Sequence, residues 1–146
     1  MSKEPAVSAK SVRTAVAVWL ALATFCTLDV LLTWLEQTNI RKAVVDAGIV
    51  PPESVDAFLN NVLWQKTIFQ LGFAVVYIVL AVLLRKGFAW SRVALIAASV
   101  FHVFLLLSGG SFNAVLILIL ALVTGALMMT WRQSTTDWLA TAREAR

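Results

Sequence analysis

Five polar side chains in apolar surroundings are the candidates for chemistry in this chain: Asp29, Lys66, Gln70, His102 and Asn113. Asp29 lies inside "TFCTLDVLLTW", Thr24 to Trp34, an apolar run of helical length. A carboxylate in hydrocarbon must be paired, protonated, or used to hold a cation or pass a proton. Lys66, Gln70 and His102 are the partners on offer. One reading is a polar clasp that holds helices in register. The other is a proton-titrating or cation-binding site. One His with one Asp is too thin for a metal centre. Cys26 is the only cysteine, which leaves no internal disulfide and no cysteine-based zinc cluster.

The elements that must position these residues are set by composition. Of 146 residues, 60% are hydrophobic and 14% charged, with a mean hydropathy of +0.85. Soluble domains average about 45–50% apolar and about 25% charged. Runs of roughly 20 apolar residues can span a bilayer, and four are legible: Thr14–Leu35, Thr67–Leu84, Val93–Leu107 and Phe112–Trp131. The third reaches spanning length if its helix starts near Phe88 and Arg92 extends to the headgroups. The first is too long for a signal peptide and is closed by no small-residue cleavage site.

Basic residues set the orientation. Lys3, Lys10, Arg13, Arg85, Lys86, Arg92, Arg132, Arg143 and Arg146 fall on one side, and Arg41, Lys42 and Lys66 on the other. Nine against three predicts both termini in the cytoplasm. Trp34 and Trp64 then mark the outer interface, with Trp90 and Trp131 at the inner one and Trp19 a turn or two inside Arg13. The net charge of +4 and pI near 9.7 read as topology and attraction to anionic lipids, not nucleic-acid binding.

Residues 1–12 read as a disordered cytoplasmic terminus and 13–131 as the membrane bundle. Residues 37–61 form the one sizeable outer loop. Gly48 and Pro51-Pro52 break it, and Val55, Phe58, Leu59, Val62 and Leu63 then follow helical spacing. Two short helices capping the bundle are expected there, the second able to run straight into span two. Residues 132–146 read as an amphipathic tail on the membrane surface, with Ser134 and Asp137 at capping-box spacing.

Asp29, Gln70, His102 and Asn113 all fall in the outer half of their spans. The inner half reads as nearly all aliphatic apart from hydroxyls such as Thr124. Helical spacing groups Leu22, Cys26, Asp29 and Thr33 on span one. It groups Lys66, Gln70, Ala74, Tyr77 and Ala81 on span two, and Ser91, Ala98 and His102 on span three. Ala121 and Gly125 give span four a small-xxx-small stripe, continued by Met128. Small and polar residues mark contact faces between membrane helices. Asp29 and His102 are therefore expected to approach, directly or through Gln70 or a water.

The segment "LLRKGFAWSR", Leu83 to Arg92, ends span two in a basic Gly turn and opens span three with Trp-small-Arg. In that turn and the four-span layout the chain resembles small four-span membrane proteins of actinobacteria, a resemblance that implies no known activity. It is also similar in outline to small proton-coupled multidrug exporters, which have four short helices and an acid in the first. The long outer loop and wider tails depart from those, and no residue is carried over.

There is no Gly-rich phosphate loop, nucleophile elbow, HExxH or intramembrane carboxylate pair. The expectation is an all-α integral membrane four-helix bundle of a bacterial plasma membrane, with a short helical outer loop and an amphipathic C-terminal tail. It is expected to be non-enzymatic, without cofactor or metal, and an accessory or scaffolding subunit that meets a membrane-protein partner or a second copy. The alternatives are a small proton-coupled transporter or channel unit using Asp29 and His102, and a lipid-binding membrane protein.

Overall fold

The computed structural model describes residues 4–108 and 114–144. These form six α-helices and no strand: α1 (Glu4–Leu35), α2 (Gln37–Asp46), α3 (Val55–Arg85), α4 (Trp90–Ser108), α5 (Ala114–Thr130) and α6 (Gln133–Glu144). A single 3-10 turn, Pro52–Ser54, leads into α3. The chain fits a multi-pass membrane protein. α1, α3 and α4 are each long and apolar enough to cross a bilayer, and α5 joins them as the first arm of a pair with α6, bent by 53°. The 17 described residues of α5 rise about 25 Å, close to the hydrocarbon thickness.

α1 packs against α3 and α5, and α4 packs against the same two. α6 folds back onto α1, and α2 onto α3. The core between them is built from Trp19, Leu22, Tyr77, Leu84, Leu95 and Ile119, all fully buried. The outward faces are apolar too: Leu31, Ile68, Val75, Val100, Phe104 and Ile117 are each more than half exposed. Helices that are hydrophobic all round belong in lipid.

Two glycines end helices by the same device. Gly48 (φ +60°) and Gly87 (φ +85°) take the left-handed conformation that other residues rarely adopt. The Gly48 N–H donates to Val45 O and the Ile49 N–H to Val44 O; Gly87 and Phe88 donate likewise to Leu84 O and Leu83 O. These are Schellman closures, which satisfy the carbonyls a helix leaves open at its end. The second explains why "RKGF" turns tightly between α3 and α4.

The N-terminal segment is helical from Glu4. Val12 is buried, and Ser11 Oγ lies 3.1 Å from Thr135 Oγ1. The second outer helix is continuous with span two. After the prolines the chain runs unbroken from Val55 to Arg85. Val55, Leu59 and Leu63 form its buried side, with Val55 and Leu59 packed on Val44 of α2, while Val62 is exposed. α6 starts at Gln133, so Ser134 lies within its first turn and not at the cap.

On α5 the small-residue stripe faces outward. At 3.6 residues per turn, Ala121, Gly125 and Met128 lie opposite the buried line of Leu116, Ile119, Val123, Ala126 and Thr130. The rotation is fixed instead by Thr130, which anchors the end of α5 to Trp19 and Arg92. On α4 the buried line is Ser91, Leu95, Ser99 and His102, with Ala98 half-buried beside it.

Candidate functional site

The spacing of Asp29 and Thr33 on α1, and of Lys66, Gln70, Phe73 and Tyr77 on α3, turns each set to one face, because residues three and four apart stack on a helix. The two faces meet, and His102 enters from α4. The result is one continuous chain of polar contacts. Lys66 Nζ lies 3.2 Å from Asp29 Oδ1 and 3.0 Å from Oδ2, and it donates to Thr33 Oγ1 at 2.7 Å. Gln70 Nε2 donates to Asp29 Oδ2 at 2.9 Å. Gln70 Oε1 lies 2.9 Å from His102 Nε2, and His102 Nδ1 lies 3.0 Å from the Tyr77 hydroxyl.

Proton positions follow from these pairings. With Asp29 ionised, its carboxylate only accepts, so the Gln70 NH2 must face it and the Gln70 carbonyl must face His102. His102 Nε2 therefore carries a hydrogen. In the neutral ring Nδ1 is an acceptor, filled by the Tyr77 O–H. Every donor from Tyr77 through His102 and Gln70 points toward Asp29. The Lys66 ammonium closes the other side, so the negative charge is met by a formal positive one.

The chain is buried and braced. Asp29, Gln70, Tyr77 and His102 are all buried. The Phe73 ring stacks on His102 with centroids 4.2 Å apart and planes 12° from parallel. Only Lys66 reaches outward, its side chain 37% exposed, bringing its charge to the boundary on an apolar stem. Trp34 and Trp64 stand nearby edge to face at 5.7 Å, and Trp34 Nε1 donates to Thr67 Oγ1 at 2.9 Å.

Asp29, Lys66, Gln70 and His102 are thus brought into one cluster. Asn113 lies outside the described residues. Ala98 packs half-buried against the core, and Ala121 and Gly125 take no part in it. Thr33 and Tyr77 complete the chain although neither stood out among the polar candidates; their place on the same faces as Asp29 and Gln70 was the signal for them. No group of three or more His, Cys, Asp or Glu among the described residues is placed to hold a metal ion.

A second polar cluster occupies the opposite end, where an aliphatic interior is expected from sequence. Trp19 Nε1 donates to Thr130 Oγ1 at 2.9 Å, and Thr130 donates onward to Ala126 O at 2.7 Å. Arg92 turns into the protein rather than outward along an apolar stem. It is 8% exposed, and its Nη2 donates to Thr130 O at 2.7 Å and to Thr136 Oγ1 at 3.1 Å. Its guanidinium carbon lies 5.3 Å from the Trp131 ring centroid. The reason is local: α5 ends at Thr130, and its open carbonyls attract a cation. Trp19 is likewise fully buried and is not an interfacial ring.

No family model, curated protein or solved structure matches the chain. The geometry of the two clusters carries the functional argument alone.

Proposed function

We propose that the chain is a non-enzymatic four-span bundle of a bacterial plasma membrane, with both termini cytoplasmic, that serves as an accessory or scaffolding subunit of a membrane assembly. The observation that carries this reading is the self-satisfaction of the buried polar chain. Asp29 is saturated by Lys66 and Gln70, and His102 by Gln70 and Tyr77. A translocation site needs a carboxylate that can exchange its partner for a proton or substrate. Here the Gln70 amide also separates the acid from the imidazole. An amide gives up a proton reluctantly, so the chain holds helices together better than it relays protons. The outward stripe of Ala121 and Gly125 supports an assembly role. No atom outside its own stretch of helix lies within 4 Å of where a Cβ at Gly125 would stand, and small residues permit close approach of a partner helix.

Purification in mild detergent tests this. A different membrane protein should co-elute, and Gly125→Leu should release it without lowering the thermal midpoint of the chain. Elution alone or as a homo-oligomer, together with a substrate or proton flux abolished by Asp29→Asn, would establish the small-transporter reading instead. The half-exposed Lys66 ammonium against Asp29 is the observation that favours that second reading.

A further inference from the structure

A cleft of about 400 Å³ opens between the N-terminal part of α1 and the start of α6, lined by Lys10, Ser11, Thr14, Arg132, Gln133 and Ser134. Two cations from sequence-distant elements face it, and no lining residue is acidic. Among the described residues neither Lys10 nor Arg132 is in an ion pair. Two like charges on one cleft repel, and an anion between them would relieve that repulsion. Thr14 Oγ1 is turned back onto Lys10 O at 3.0 Å, and Ser11 Oγ onto Thr135. The lining side chains left to serve an anion are therefore the Lys10 ammonium, the Arg132 guanidinium and the Gln133 amide. The positive end of the α6 dipole, at Gln133, adds to them.

The level of the cleft agrees with its chemistry. Arg132 directly follows Trp131, which is 51% exposed, and Trp90 is 56% exposed at the same end of the molecule. Exposed tryptophans mark the headgroup layer. A second, smaller cleft of about 170 Å³ is lined by Val12, Arg13, Arg85 and Trp138 but lacks the hydroxyl and amide groups of the first.

We propose that the Lys10–Arg132 cleft is a binding site for a phosphate anion, supplied by an acidic lipid headgroup or by free phosphate. The inference rests on the membrane-spanning reading but not on any partner protein. The docking of α6 on α1 builds the site, and Arg92 fixes α6 through Thr136. Occupancy would therefore stiffen the whole cytoplasmic end.

The full chain in neutral detergent micelles, titrated with short-chain phosphatidylglycerol, phosphatidylcholine or inorganic phosphate, tests the site by mass spectrometry of the intact complex. One saturable phosphatidylglycerol is expected, displaced by salt. Lys10→Gln/Arg132→Gln should weaken it about tenfold or more, the loss of two basic contacts to an anionic headgroup. Arg85→Gln/Lys86→Gln should change it less than about twofold, being outside the cleft. The charge-preserving pair Lys10→Arg/Arg132→Lys should retain binding and guards against misfolding. Displacement by inorganic phosphate at equal concentration would assign the site to free phosphate, and resistance to it would assign the site to lipid. Equal losses in both glutamine pairs, equal binding of phosphatidylcholine, or no saturation would overturn the proposal.

Discussion

Asp29 and His102 are joined by a single side chain, that of Gln70, whose amide nitrogen donates to the carboxylate and whose carbonyl lies 2.9 Å from His102 Nε2. The acid and the imidazole come from α1 and α4, two helices that both pack on α3. Gln70 lies on α3 and reads both at once. The clasp therefore ties three helices with one residue, and Gln70 is its least replaceable member.

Gln70→Leu removes a donor from Asp29 and a partner from His102 together. Each orphaned buried group costs about 1–3 kcal/mol, so a loss of about 3 kcal/mol or more is expected in detergent unfolding. Tyr77→Phe removes only the hydroxyl bond to His102 and should cost about 1 kcal/mol. Asp29→Asn and His102→Leu should each destabilise, and the double variant should cost less than their sum, because both act through Gln70. Strict additivity would show that the chain is not a unit.

The Arg92 cluster predicts a local effect. Arg92→Met keeps the stem but removes the donors to Thr130 O and Thr136 Oγ1. Backbone hydrogen exchange in α6 should rise while α3 stays protected. Uniform loosening of all helices would mean that Arg92 acts on global folding instead.

In the outer layer, Leu59 is buried and Asn60 is exposed. Leu59→Asp should cost about 2–4 kcal/mol, an uncompensated charge in an apolar contact. Asn60→Asp should be close to neutral. Equal effects would argue against the packing of α3 on Val44.

The Arg41–Asp56 pair gives the same layer a pH response. The Arg41 guanidinium, 2.9 Å away, holds the Asp56 carboxyl below its ordinary range, first by hydrogen bonding and then by charge. A carboxyl lowered on folding contributes stability above its unfolded pKa and loses it as pH falls through the folded pKa. Both side chains are largely exposed, so the effect should be small and screened by salt. Exchange protection of α2 should fall modestly below the ordinary carboxylate range in low salt, and Asp56→Asn should abolish that dependence.

Orientation is tested by labelling. With Cys26 replaced by Ala, Asp46→Cys should react with an impermeant thiol reagent in intact cells, since Asp46 is exposed beside the Gly48 turn. Reaction only after lysis would invert the topology.

Much of the candidate site was legible because helical spacing alone puts Asp29 with Thr33, and Lys66 with Gln70 and Tyr77. The meeting of spans one to three was legible too, from polar residues at one depth, and it runs through Gln70; the facing of span four was not, since an apolar helix carries little contrast between its sides. α5 shows the limit. It is aliphatic all round, so its small residues suggested a contact face, while its rotation was decided by Thr130 at its end. Trp19 and Arg92 were misplaced for a related reason. Interfacial preference is a tendency of isolated side chains, and each of these found a partner inside that composition does not reveal.

α3 has no joint. Its 31 residues rise about 46 Å, well beyond the hydrocarbon layer of about 30 Å. Leu59, which seats the outer layer, and Lys66, Gln70 and Tyr77, which make the clasp, are therefore stations on one unbroken helix. No helix break stands between the outer end and Gln70. The packing of the outer layer and the hydrogen bonds to α1 and α4 thus share one continuous backbone, as two fittings share one beam.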